Sequence, residues 1–183
     1  MAQNKKKLEI PEPKTEFEEL LISAYKDKMI AYMHAHPEAI PEALELAVAD
    51  RQPYSWRSAW LLWSCLRPND ARVKKHLNKI IAYLPQARDN QKRELIKICM
   101  MMKLTERQES KLFDYCTVLW TDISLAPGIR MMALRLMFQL VHKYPELTNE
   151  VMQLAHDYYM KSLSPGIHHS VKRLFAELSK NQA

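Results

Sequence analysis

Apolar residues recur with a helical period in one segment after another, and no segment alternates with period two. Thr15 precedes Phe17, Leu20, Leu21 and Ala24, with Glu18 three positions on, the signature of a capping box opening a helix. That helix is expected to run to about His34, because Pro37 disfavours helical geometry at His36. Further helical patterns cover Ile40–Asp50, Ser55–Leu66, Ala71–Leu84, Asn90–Met102, Arg107–Ser124, Gly128–Tyr144, Leu147–Ser162 and Ile167–Ser179. Breaks fall at Pro53, Pro68, Pro85, Pro127, Pro145 and Pro165, where a missing amide and a restricted preceding residue stop helices. The pattern predicts an all-α chain of about nine helices. From Met131 to Val141 nine of eleven residues are apolar, so this helix must be covered on most sides. Arg135, Gln139 and His142 form its one polar strip.

The spacing also repeats. Pro127-Gly128-Ile129 recurs as Pro165-Gly166-Ile167, and the same offset of 38 residues matches Arg135 with Arg173, Leu136 with Leu174 and Leu140 with Leu178. Carried backward it reaches Lys97, Ile98 and Met102, and a step of 36 then reaches Leu62 and Leu66. The intervening second helices align as Leu77, Phe113 and Val151; Ile80, Cys116 and Leu154; and Leu84, Trp120 and Tyr158. Apolar residues at matching positions let successive units stack and share one core. A two-helix unit of this period resembles the HEAT/armadillo group of α-solenoids in a degenerate form, over about residues 15–183. Tetratricopeptide repeats are the nearest competitor, but they need a small residue in the first helix where Trp60, Ile96 and Leu134 stand. The resemblance implies a short right-handed α-α superhelix of antiparallel pairs, one domain over 15–183. Residues 1–14, polar and carrying Pro11 and Pro13, are expected to form a mobile basic tail.

Composition narrows the chemistry. Two glycines in 183 residues cannot supply a phosphate-cradling loop or a dinucleotide-binding turn. No run approaches about 18 apolar residues, so no membrane span is expected, and the basic start has no apolar run behind it to make a secretory signal. Cys65, Cys99 and Cys116 are odd in number and unpaired in spacing, which reads as reduced, buried thiols in a cytoplasmic protein. The net charge of +6 is uneven: residues 1–50 carry 6 Lys/Arg against 10 Asp/Glu, so the basic excess lies in the body.

Candidate chemistry is sparse. Seven histidines show no metal-ligand spacing, and no serine or cysteine is framed for nucleophilic attack, so neither metal, cofactor nor catalytic residue is expected. Trp56, Trp60 and Trp63 share one helix face. They read mainly as core filling between helix pairs, and otherwise as a platform for bases or a peptide. The HEAT-like resemblance also extends to DNA glycosylases specific for alkylated bases, which need a carboxylate flanked by aromatics on groove-lining helices. The nearest pair here, Trp120 and Asp122, lies about 200° apart on a helix and shares no face. What remains is a basic ladder, Lys97, Arg135 and Arg173 in equivalent slots with Arg93 one turn before Lys97; Lys74, Lys75 and Lys79 on a second helix, and Trp56, are secondary candidates. Such a row is either a solvated ridge or a surface for an acidic partner. The expected function is a non-enzymatic binding or scaffold module for a protein partner; the alternative is nucleic-acid binding by a glycosylase relative lacking the catalytic carboxylate.

Overall fold

The structure, a computed structural model, describes residues 10–180, which form twelve α-helices and no strand. They are α1 (Glu16–Ser23), α2 (Lys26–Ala35), α3 (Ile40–Ala47), α4 (Tyr54–Cys65), α5 (Ala71–Lys74), α6 (Leu77–Tyr83), α7 (Asp89–Met100), α8 (Glu106–Thr121), α9 (Pro127–Lys143), α10 (Thr148–Gln153), α11 (Asp157–Met160) and α12 (Pro165–Lys180). The count exceeds nine because three of the expected helices are each broken in two. One break falls at Ala24–Tyr25, where both residues are extended. On a continuous helix the stripe of Phe17, Leu21 and Ala24 would continue to Lys28. The break turns the buried Met29 and Met33 inward instead, and both α1 and α2 pack against α4.

A second break, at Lys75–His76, leaves the buried stripe of Val73, Leu77, Ile80 and Leu84 intact. The third, between α10 and α11, has a clear hydrogen-bond logic. In an unbroken helix the carbonyl of Leu154 would accept from Tyr158 N. Here Tyr158 N donates to His156 Nδ1 (3.2 Å), and Leu154 O accepts the indole N–H of Trp120 (3.0 Å) instead. The break therefore supplies an acceptor for a fully buried tryptophan.

Thr15 caps α1 by accepting from Glu18 N (3.1 Å), as expected. The Glu18 carboxylate does not complete the box; it is buried, accepts from Lys14 N and pairs with Arg51. The full box forms at Thr105, whose hydroxyl accepts from Gln108 N while Gln108 Oε1 accepts from Thr105 N. Of the expected mobile tail, residues 1–9 lie outside the described residues. Within its remainder, Tyr54 donates to Pro11 O and Arg51 to Glu12 O.

Packing follows the repeat. The first helices of successive units, α4, α7, α9 and α12, pack side by side in sequence order. The second helices lie against them: α3 on α4, α6 on α7, α8 on α9, and α10 on α9 and α12. A single core cluster runs from Phe17 to Leu178. The register read from the sequence holds at Leu62, Ile98 and Leu136, and at Leu77, Phe113 and Val151, all buried. It loosens in the last unit, where Leu154 and Leu174 are half-buried and Tyr158 is 48% exposed.

The tryptophans correct the sequence reading. Trp60 is half-buried and packs against the core, Trp56 is half-buried and Trp63 is 38% exposed, so this face lies at the edge of the core. The buried side of α4 is Tyr54, Ser55, Ser58, Ala59, Leu61 and Leu62. Small residues at 55, 58 and 59 allow neighbouring helices to approach, and the bulky rings are left at the edge. Cys99 and Cys116 are buried as expected, whereas Cys65 is half-buried.

Candidate binding groove on the first-helix face

A groove of about 700 Å³ crosses α4, α7, α9 and the start of α12. Trp63 enters it from α4, Arg93, Lys97 and Met100 from α7, and Arg135 with Met131 and Met132 from α9. Met101 and Ile167 complete the apolar part, and no carboxylate is among the lining residues. Three of the four ladder residues thus meet in one depression.

Each cation is held differently. Glu94, with a side chain only 1% exposed, accepts from Arg93 Nε (2.9 Å) and from Lys97 Nζ (2.8 Å). A buried carboxylate is tolerated only when paired, so Glu94 anchors both cations beneath the rim. Lys97 Nζ also sits 4.0 Å from the centre of the Trp63 ring. That contact covers one ring face and favours the ammonium where it stands. Arg93 reaches across to α9, where a Cβ on Gly128 would lie 3.8 Å from its Nη1. Arg135 is exposed and makes no ion pair among the described residues. The amide of Gln139 is committed to Met100 O (3.1 Å).

The other candidates lie apart. Arg173 is exposed on α12 but does not line the groove. Lys74, Lys75 and Lys79 are exposed on or beside the second helices α5 and α6, with Lys79 paired to Glu45. Trp56 lines a smaller cavity of about 250 Å³ with Trp60, Tyr25 and Met29. A further cavity of about 310 Å³, between α8, the end of α9 and the segment after it, is lined by Glu106, Glu109, Asp114, Glu146 and Glu150. Its deepest carboxylate, Glu109, is occupied by Lys143 Nζ (2.7 Å) and the Tyr144 hydroxyl (2.6 Å).

Trp120 and Asp122 do not build a site. Trp120 is fully buried, with Arg130 stacked 4.9 Å from its ring centre. Asp122 accepts from Ser124 N (2.9 Å) and Ser124 Oγ (2.6 Å), contacts that hold its carboxyl below the usual range. Among the described residues no group of three or more His, Cys, Asp or Glu converges to hold a metal ion. No helix there is long and apolar enough to cross a membrane.

A family model described as the HEAT repeat domain matches residues 15–178. The chain belongs to that HEAT repeat family. Neither the curated proteins nor the solved structures include a significant match. The matched span begins at the cap of α1 and ends in the last turns of α12, so the groove lies wholly inside the HEAT repeat.

The 38-residue recurrence singled out Lys97 and Arg135, which line the groove, and Arg173, which does not; the floor was not read from the sequence. Met100, Met101, Met131 and Met132 come from two short methionine runs on consecutive first helices. Those runs were the available signal. The Trp63–Lys97 contact had none, because it depends on which face of α4 turns outward.

Proposed function

We propose that this HEAT repeat is a non-enzymatic binding module that presents its first-helix face to a negatively charged partner, foremost an acidic protein. The observation that carries the reading is the convergence of Arg93, Lys97 and Arg135 on one open groove with no carboxylate in its lining. Stacked repeats favour this use, since their shared core leaves one side chain per unit free at an equivalent surface position. The occupied state of Trp120 and Asp122 supports a non-catalytic role.

Nucleic-acid binding is the second reading, and it uses the same cations. Against it stands Trp63, one of whose ring faces is already covered by Lys97 and is unavailable for base stacking. Fluorescence titration of labelled poly-glutamate and of duplex DNA against the full chain, at several salt concentrations, separates the two. Salt-sensitive binding of poly-glutamate, tighter than DNA per unit charge, is expected. Tighter DNA binding favours the second reading, and no binding of either up to ~10⁻⁴ M, the weak end of non-specific affinity, overturns the proposal.

A further inference from the structure

The groove carries more information than its charge, and the inference below rests on the binding reading above while specifying the partner. We infer that its occupant is an acidic amphipathic helix, with carboxylates on Arg93, Lys97 and Arg135 and an apolar stripe on Met100, Met101, Met131 and Met132.

The floor offers little hydrogen bonding. Its side chains are thioethers, one indole and one isoleucine, and the single amide, Gln139, spends one N–H on Met100 O. Thioether sulfur is a weak acceptor and donates nothing. An extended segment lying here would find donors for its carbonyls but, Gln139 Oε1 apart, hardly an acceptor for its amides, whereas an α-helix satisfies both internally. The described residues contain no strand, so they offer no sheet edge to which an extended peptide could add.

Dimensions agree with this. The groove crosses four consecutive first helices. Most of the lining stands on α7 and α9, with one side chain each from α4 and α12, so at about 9 Å between packed helices the groove spans about 18–27 Å, the length of an α-helix of about 12–18 residues. Such a helix presents apolar side chains at i, i+3, i+4 and i+7 on one side. Methionines suit the receiving surface, because unbranched, polarizable side chains repack around anchors of differing shape.

Charge selects the sign of the rim. Arg135 is exposed and without an ion pair among the described residues, and its planar fork matches a carboxylate bidentately. Phosphates would satisfy the cations equally well. A polyphosphate backbone, however, would leave the methionine floor facing water or sugar, whereas the apolar side of a helix covers it.

Three probes test the inference on the full chain: an 18-residue Glu-rich helix with Leu at i, i+3, i+4 and i+7; a charge-matched peptide with each Leu replaced by Gln; and duplex DNA. Binding is read by anisotropy and by the methyl signals of ¹³C-labelled methionine, assigned through single Met→Leu variants. The amphipathic helix is expected to bind at least about tenfold tighter than its Gln counterpart, since even one partly buried Leu is worth that factor. It should shift the methyls of Met100, Met101, Met131 and Met132 and leave those of Met29 and Met33 in place. Arg135→Gln should weaken it by about three- to tenfold, and Arg173→Gln by less than about twofold. Equal binding of the two peptides, or binding without movement of the groove methyls, overturns this inference and leaves the binding module standing. Absence of binding by all three probes overturns both. Tighter binding of DNA moves the partner to the other chemical class.

Discussion

Arg130 shows how one residue joins two repeats. It is fully buried and makes no salt bridge among the described residues; burial pulls its pKa down, against a smaller opposing pull from the Asp122 carboxylate. Its charge is met instead by Trp120 O (3.0 Å), Ser162 Oγ (2.6 Å) and Tyr159 O. Trp120 O is one of the orphan carbonyls at the end of α8, and Tyr159 O belongs to α11, so the guanidinium ties both segments to the start of α9. Arg130→Ala should cost about 3 kcal/mol in urea unfolding, and Arg130→Lys should recover little, because an ammonium cannot span acceptors set for a planar fork. A loss below about 0.5 kcal/mol, the usual surface value, would show that these bonds are not made. The thiols give a pH dependence. Burial pushes Cys99 from 9.0 up to about 12, and Cys116 moves in the same direction through burial and the nearby Cys99. The folded chain keeps protons that the unfolded chain releases, so stability is full below the ordinary thiol value and falls as pH rises toward the folded one. The slope between about pH 9 and about pH 11 should flatten in Cys99→Ala/Cys116→Ala, with a remainder from Tyr115, which burial also pushes up to about 12. An unchanged slope would remove the thiols from the account. The burial of Cys99 and Cys116 was legible from their apolar segments; Arg130 was not, since its partners are two backbone carbonyls and the Ser162 hydroxyl, brought together only once α8 ends and the chain breaks between α10 and α11.

Among the elements, the proline positions located the linkers well, and the structure keeps helices out of most of the intervals they mark. What the prolines could not reveal are breaks made without them. Ala24–Tyr25, Lys75–His76 and the turn from Leu154 to His156 contain neither Pro nor Gly. Each is imposed by tertiary demands: turning Met29 and Met33 inward, tightening a helix whose buried stripe continues, and releasing Leu154 O for Trp120. Local pattern was equally ambiguous about caps. Thr15 and Glu18 carry the capping-box spacing, yet Glu18 is drawn to Arg51, while Thr105 and Gln108 complete the box for α8. Thr105→Ala should therefore lower stability by about 1 kcal/mol, and Thr105→Ser should restore most of it. Thermal or urea unfolding decides this, and equal stability of all three chains would mean that the cap adds nothing. The α4 face failed for a related reason: three tryptophans look like core by size, but Ser55, Ser58 and Ala59 are the residues that permit close packing.

At the scale of the whole molecule, the repeat fixes where surface side chains recur, and that is why the cationic part of the groove could be read from residue spacing. Lys97 and Arg135 occupy equivalent slots on neighbouring helices, and stacking brings them to one groove. Arg173 shares the slot but stands clear of the groove. The floor was hidden because it depends on how far α7 and α9 are offset, a quantity no single-helix pattern encodes. On the proposed reading, location and not overall basicity makes this surface bind. A chain of net charge +6 attracts polyanions weakly wherever they approach, so the test must hold the charge change constant. Arg135 and Lys75 are both exposed, one in the groove and one beside the second helices. Arg135→Glu and Lys75→Glu alter net charge equally and leave the core untouched. The decisive measurement is the affinity of the acidic amphipathic helix for the native chain and for these two variants at one salt concentration. Arg135→Glu should weaken binding by at least about tenfold while Lys75→Glu stays within about twofold; equal losses in both would contradict the groove and leave only a diffuse basic surface.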